Sequence, residues 1–198
     1  PRRLKVLAPA AGHLVHMPAH IDIRTGNYEA AARANAYAAA ADRAYSKTTG
    51  SQRLYMMMYY SHTLHFLAVA NSMQGRFVDA KRAADQLIAH LMPFANSMRE
   101  AMVPMLDPFM PTATMMLVRF HRWDDILRTA EPDKRFAATG ALWRFARGMA
   151  FASTGKLAEA EKERDLLTGA AKTLPADAMF GFNPAGNVTK IAELVLSG

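Results

Sequence analysis

The chain has 198 residues, of which 51% are apolar; it carries a formal net charge of +7 and contains no cysteine. This length is sufficient for one ordinary domain with a buried core. Without cysteine, the chain cannot be a disulfide-stapled scaffold, a thiolate zinc or iron–sulfur protein, or an enzyme with a cysteine nucleophile. No apolar run approaches the roughly 18–20 residues that a membrane span needs, so we expect a soluble protein without a membrane span.

The positive charge is distributed along the chain and interleaved with acidic residues, as in the segment 159–165. Nucleic-acid-binding modules usually concentrate their basic residues on one face or in one tail. We therefore expect a solvated basic surface and no nucleic-acid partner.

The chain starts at Pro1 and shows neither an initiator methionine nor a signal peptide. We expect a fragment of a longer protein, in which residues 2–7 end a preceding helix and the chain contacts further repeats upstream. Any targeting signal would lie in that upstream part, so the sequence leaves open whether the protein is cytoplasmic or exported.

Alanine, leucine, methionine and arginine dominate the sequence, and alternating valine-rich runs are rare. This composition favours helices over strands, with glycine and proline at the boundaries. The pattern predicts an all-α protein of about four helical hairpins and a closing helix. In chain order, the predicted helix pairs are 10–25 with 28–45, 57–74 with 77–91, 107–120 with 123–130, and 136–154 with 157–173, followed by the closing helix 186–197.

A short turn motif recurs in the chain: glycine or histidine, any residue, a large apolar residue, two further residues, then alanine or isoleucine. A glycine at this place ends the first helix of a hairpin with a positive φ, and the large apolar residue starts the second helix. The last two copies begin 34 residues apart, which is the period of a tetratricopeptide repeat. The four copies begin at Gly26, Gly75, His121 and Gly155.

On this motif the chain resembles the tetratricopeptide-repeat family. The segments His13-Leu-Val-His16-Met-Pro18-Ala-His20 and His62-Thr-Leu-His65-Phe resemble more narrowly a group of poorly characterised bacterial tetratricopeptide-type proteins that carry an H-x-x-H-M-P-x-H segment. The resemblance implies a single domain over residues 1–198, with hairpins at about 10–45, 57–91, 107–130 and 136–173. It also implies that these hairpins stack into a right-handed superhelix with a concave groove.

Five histidines form the candidate site. His13, His16 and His20 have the spacing i, i+3, i+7, which places them on one face of a continuous helix, and His62 and His65 repeat the i, i+3 spacing in the next hairpin. The resemblance implies that these positions face the groove. Neutral imidazoles bind zinc, copper, nickel or iron. We therefore predict that at least three of the five place ring nitrogens within about 5 Å of a common point, and that metal affinity falls below about pH 6.5.

Two other interpretations of the histidines remain open. They could line a site for a peptide or a small anion, or they could be structural residues that bond to neighbouring helices. His90 and His121 lie at a helix end and a turn, and we expect both on the surface.

Three further residues bear on the local geometry. Pro18 would bend the first helix, because it lacks the N–H that would bond to the Leu14 carbonyl. Asp22 is the acid nearest to the histidines and could orient an imidazole. Asp107 followed by Pro108 predicts the N-cap and first residue of a helix.

The resemblance implies further residues along the groove. Arginines there could clamp a carboxylate or a phosphate, or could pair with acids across the hairpins. Methionines and a phenylalanine would give an adaptable apolar lining, although methionine at helical spacing is more often core filler. These residues are Arg24, Met73, Met115, Arg119, Phe145 and Met149.

The sequence contains no phosphate-binding loop, no G-x-S-x-G elbow and no dinucleotide-binding fingerprint. We expect a helical-repeat binding protein whose groove holds a transition-metal site or a metal-assisted ligand site. The alternative is a metal-free scaffold that grips a partner peptide or helix in the same groove. A third interpretation, one wall of an enzyme site completed by upstream repeats, leaves open whether the protein is an enzyme.

Overall fold

The computed structural model describes residues 7–50 and 53–198, including the backbone but not the side chain of Arg53. The predicted helix end over residues 2–7 lies outside the described residues, apart from Leu7. In the described part, the chain is predominantly helical, which confirms the all-α prediction. The chain divides into two compact units, Pro1–Phe94 and Ala95–Gly198.

The first unit consists of helices alone in its described part. The helical stretch over residues 53–73 is not uniform, because a π-helical turn, Met56–Tyr60, interrupts it. The α-helices are α1 (Gly12–His16), α2 (Ala19–Arg24), α3 (Tyr28–Thr49), α4 (Arg53–Tyr55), α5 (Ser61–Met73) and α6 (Phe77–Ser97). The last three residues of α6, 95–97, are counted with the second unit.

The second unit begins with a 3-10 helix, Glu100–Phe109. The α-helices that follow are α7 (Thr112–Arg119), α8 (Trp123–Arg128), α9 (Ala137–Ser153) and α10 (Leu157–Lys172). A short antiparallel hairpin of β1 (Met179–Phe180) and β2 (Asn183–Pro184) leads into the last helix, α11 (Ala185–Ser197). The sequence pattern did not predict this hairpin.

The first predicted helix, 10–25, is divided at Pro18 into α1 and α2. Met17 and Pro18 keep helical dihedral angles, with φ of −50° and −59°. The chain therefore bends where the proline removes one backbone hydrogen bond, without becoming extended. Because the segment stays helical on both sides of the bend, the argument from the histidine spacing still holds for His13 and His16.

The predicted hairpin turns are found at all four positions of the motif. Gly26, Gly75 and Gly155 have φ between 72° and 79°, the left-handed region that glycine adopts without strain. In the third copy, His121 takes this conformation with φ of 54°, and its ring stacks on that of Trp123 at 5.1 Å between centroids. The motif in the sequence therefore marks a backbone conformation as well as a residue pattern.

We expect Gly155→Ala to lower the free energy of unfolding of the second unit by about 1 kcal/mol, because a Cβ is strained at positive φ. No neighbouring atom lies within 4 Å of that Cβ, so the cost comes from the backbone. Gly169→Ala is the matched control. Gly169 lies inside α10 at ordinary helical φ, and alanine there should stabilise the unit by about 0.5–1 kcal/mol. Chemical denaturation followed by tryptophan fluorescence measures both, and equal signs for the two variants would contradict the expectation.

Small side chains bring α2, α3 and α5 together in the first unit. Ala19, Ala31, Ala34 and Ala70 are fully buried and form one cluster with Ala32. Ile23, Phe66 and Leu67 pack against this cluster. Because alanine adds little bulk to a helix surface, the helices approach closely enough for side chains on α1, α2 and α5 to meet.

Asp107 caps a helix other than the predicted one. It lies in the 3-10 helix, and α7 begins only at Thr112, after Pro111. The buried Asp107 carboxylate accepts hydrogen bonds from the backbone N–H groups of Ala138 and Thr139, each at 2.9 Å. Asp107 thus satisfies the first turn of α9, which starts 30 residues later in the chain.

Among the described residues, one helical stretch, Glu100–Arg119, is long and apolar enough to cross a membrane. Half of its window is buried inside the structure, which is typical of a core segment of a globular domain. Pro104 and Pro108 lie within its 3-10 portion. Its length and composition by themselves do not support a membrane span.

Candidate metal centre

Three histidines from three helices converge in the first unit. His16 is at the end of α1, His20 is in the first turn of α2, and His62 is in the first turn of α5. One ring nitrogen of each lies within 4.8 Å of one ring nitrogen of the other two. Nε2 of His16 and Nε2 of His20 are 2.9 Å apart. This confirms the prediction that at least three imidazoles meet near a common point.

Asn35 fixes the orientation of the most buried of the three rings. His16 is fully buried, and its Nδ1–H donates to Oδ1 of Asn35 at 2.7 Å. Nδ2 of Asn35 donates to the Ala31 carbonyl at 2.8 Å, which identifies the amide oxygen as the atom that faces His16. The lone pair of His16 is therefore on Nε2, the atom that faces His20. An oxygen acceptor behind the ligating ring is the usual arrangement around a histidine that binds a metal.

This role was expected for Asp22, and that expectation is wrong for His16. Asn35 projects from the Ala-rich buried face of α3, where it is fully buried. A polar residue with this placement needs a hydrogen-bonding partner. That requirement is the signal in the sequence that could have identified Asn35.

Phe66 forms the apolar side of the site. It lies one helical turn after His62 on α5, and its ring centroid is 4.6–5.0 Å from the centroids of His16, His20 and His62. His16 also meets the rings of His20 and His62 edge-on, at 4.7 and 4.8 Å. The three imidazoles therefore lie in a compact, largely apolar setting.

The π-helical turn Met56–Tyr60 directly precedes α5, the helix that carries His62. Nε2–H of His90 donates to the Met56 carbonyl at 2.9 Å, and the His90 ring packs edge-on against Tyr60. His90 is partly buried, so the expectation that it lies on the surface is wrong. π-Helical turns are frequent at functional sites, because the extra residue shifts the face on which the following side chains project.

Burial keeps the site imidazoles neutral. It lowers the pKa of both His16 and His62 from 6.5 to about 4, and neighbouring histidines contribute further to the lowering. Burial also lowers the pKa of His20, as do electrostatic interactions with His13 and Arg24. Because metal ligands must be deprotonated, competition from protons should begin well below the pH of 6.5 that the sequence suggested.

His13 lies beside the cluster rather than within it. Its ring stacks on that of His16 with centroids 5.8 Å apart, and its backbone N–H donates to the Tyr55 hydroxyl at 3.3 Å. That hydroxyl donates to Oδ1 of the buried Asp42 at 2.8 Å. Burial raises the pKa of Asp42 and raises the pKa of Tyr55 to about 12. These contacts connect α1 to α3 through Asp42 and to α4 through Tyr55.

His65 is also outside the converging group. It lies almost one turn further along α5 and is partly buried, and burial lowers its pKa. The group of potential metal ligands among the described residues therefore consists of His16, His20 and His62, two fewer than the five candidates.

The other predicted groove residues have different surroundings. Met115 and Phe145 are partly buried and pack against the core cluster of Ala141, Leu142, Leu167 and Ala192 in the second unit, and Met149 is also partly buried. Arg24, Met73 and Arg119 are exposed. Met115 and Phe145 thus contribute to the core of the second unit.

Three imidazole nitrogens and no carboxylate make up this group. Zinc binds imidazole nitrogen at about 2.0–2.1 Å, so tetrahedral ligands are about 3.3 Å apart. The observed separations, from 2.9 Å up to 4.8 Å, bracket this value. Small side-chain rotations would bring the three nitrogens to coordination distance and leave a fourth position for another ligand.

No family model, curated protein or solved structure matches this chain.

Proposed function

We propose that the first unit binds one transition-metal ion through His16, His20 and His62. The observation that carries the proposal is the convergence of these ring nitrogens within 4.8 Å, with His16 held by Asn35. The donor set consists of nitrogen alone. Imidazole nitrogen suits zinc, copper, nickel or iron, whereas magnesium and calcium prefer oxygen ligands.

We also propose that the helical hairpins are of the tetratricopeptide type and stack as a right-handed superhelix, with the histidines on its concave face. Two observations support this. The four turn positions of the repeat motif all have positive φ. The small or branched residues that close the motif, Ala31, Ala80, Ile126 and Ala160, are all buried, as hairpin packing requires.

Metal titration tests the proposed function. The full chain, stripped of metal with a chelator, is titrated with Zn²⁺ by calorimetry and with Co²⁺ by visible absorption. We expect one ion per chain and the intense Co²⁺ bands of a four-coordinate site. His16→Ala, His20→Ala and His62→Ala should each weaken binding by about 100-fold or more, because each removes one of three ligands. His65→Gln, outside the converging group, should bind as the unmodified chain does.

A comparison of variants at two buried asparagines, Asn35 and Asn71, separates the role of Asn35 in metal binding from its effect on stability. Asn35→Ala should weaken metal binding by about 10–100-fold, since the partner behind a ligating histidine orients it. Asn71→Ala removes another buried amide of the same unit, and it should leave metal affinity unchanged even if it destabilises the chain. Equal losses in the two variants would show that Asn35 acts only through stability.

The competing proposal is a metal-free scaffold that grips a partner peptide or helix. It is favoured by exposed apolar side chains on the segment that carries His16 and His20, namely Leu14 on α1, Ile21 on α2 and Met17 between the two helices. No saturable binding of Zn²⁺ or Co²⁺ would overturn the metal proposal and favour the scaffold.

A further inference from the structure

The metal ion in the proposed site would have no negative charge from its protein ligands. All three imidazoles are neutral donors, and the group of potential ligands formed by the described residues includes no carboxylate. An uncompensated divalent charge in a largely apolar setting is unfavourable. The remaining coordination position should therefore favour an anionic ligand over a neutral one.

The open side of the cluster is the side of His20 and His62. His16 is fully buried behind Asn35, whereas His20 and His62 are only partly buried. Phe66 packs against all three rings and covers the apolar side. A ligand from solution would therefore reach the ion past His20 and His62.

Arg24 is placed at this open side. It follows His20 by four residues on α2, so the two side chains project from the same face of the helix. Arg24 is exposed, and within residues 7–50 and 53–198 it forms no ion pair. The guanidinium is thus available to an anion that approaches the ion.

We propose that the fourth ligand of the metal is a small oxyanion, a carboxylate or a phosphate, that binds the ion with one oxygen and Arg24 with another. This inference rests on the proposed metal site. A planar guanidinium with several N–H donors matches two oxygens of such an anion, and the second contact adds both affinity and orientation. The site then recognises an acidic small molecule or an acidic side chain of a partner.

The test uses the Co²⁺-loaded full chain, because the visible spectrum of Co²⁺ reports directly on its ligands. Acetate and inorganic phosphate are titrated separately, with sodium perchlorate keeping the ionic strength constant. We expect a saturable change of the Co²⁺ bands with at least one of the two anions, and the stronger response identifies whether a carboxylate or a phosphate is preferred. Arg24→Gln should weaken that anion at least tenfold while the affinity for Co²⁺ itself is retained.

Arg33→Gln is the matched control, since Arg33 is an exposed arginine of the same unit that pairs with Glu29 on α3. It should bind the anion as the unmodified chain does. Co²⁺ bands that respond to neither anion, or an anion affinity that is equal in Arg24→Gln and Arg33→Gln, would overturn the oxyanion inference alone. A chain that fails to bind Co²⁺ before any anion is added would overturn the metal site and this inference together.

Discussion

Gly12→Ala is expected to lower the free energy of unfolding of the first unit by about 3 kcal/mol and to weaken metal binding by at least 100-fold. A Cβ at this position would lie 2.0 Å from Oδ1 of Asp42 and 2.7 Å from the Ala38 carbonyl oxygen. Neither atom can withdraw easily. Asp42 is buried and bonded to Tyr55, and the carbonyl belongs to the backbone of α3.

The displacement would reach the site because Gly12 is the first residue of α1 and His16 is its last. When α1 moves away from α3, His16 loses its hydrogen bond to Asn35 on α3. The ring then no longer presents Nε2 to His20 and His62. A substitution with no chemical function of its own should therefore abolish a metal site.

Two spectroscopic probes distinguish the units in this experiment. Trp123 and Trp143, the two tryptophans of the chain, both belong to the second unit, so fluorescence follows that unit, whereas circular dichroism follows both. In Gly12→Ala, the first unit should unfold at a lower denaturant concentration than in the unmodified chain. This change should appear in circular dichroism and leave the fluorescence transition of the second unit unchanged. Gly140→Ala is the control, since Gly140 is a helical glycine of α9 with nothing within 4 Å of the added Cβ. If Gly12→Ala matched the unmodified chain in stability and metal affinity, α1 would be shown to accommodate the methyl group.

The metal-free first unit is expected to lose stability between pH 6.5 and pH 4. Burial lowers the pKa of His16 and His62 in the folded chain to about 4, whereas in the unfolded chain both titrate near 6.5. In this window the unfolded state binds more protons than the folded state, so stability falls as the pH falls. For the fully buried His16 the loss is about 2 kcal/mol at pH 5. His62, which is partly exposed, should add a smaller amount.

Denaturation by urea at pH 7, 6 and 5, followed by circular dichroism, measures this loss. His16→Asn should reduce the pH dependence by about the 2 kcal/mol assigned to His16, because it replaces that titrating ring by an amide, whereas His62, His20 and His65 still titrate. His121→Asn alters an exposed histidine of the second unit and should leave the pH dependence of the first unit as it is. Saturating Zn²⁺ should shift the transition to lower pH, since the ion binds only the neutral imidazoles of the folded chain. A first unit that is equally stable at pH 7 and pH 5 would contradict the expectation.

The hairpin turns could be predicted from the sequence because they depend on local conformation. Gly26, Gly75 and Gly155 stand where the chain must adopt a positive φ, and few residues other than glycine do so without strain. The helices between the turns follow from alanine-rich composition and apolar spacing. His121 also adopts the positive φ of the motif, and in this turn its ring stacks on that of Trp123.

The group of converging histidines was predicted only in part. The spacing of His13, His16 and His20 identified one face of a helix, but Pro18 bends that helix and places His20 against His16. The π-helical turn before α5 shifts the residues that follow it. Pro18 predicted the bend itself, but residue spacing gives neither the resulting position of His20 nor the shift at the π-helical turn, and so the candidate group also included His13 and His65.

What the sequence by itself determined is therefore the set of helices, their turns and the histidines available to a site, because each depends on neighbours within one or two helical turns. Only the tertiary structure decided which histidines meet, that Asn35 rather than Asp22 orients His16, and that Asp107 caps α9. These outcomes depend on how closely helices pack. That distance is set by small residues that pack against residues far away in the chain. Gly12, for example, lies against Asp42, and such pairs carry no periodic signal.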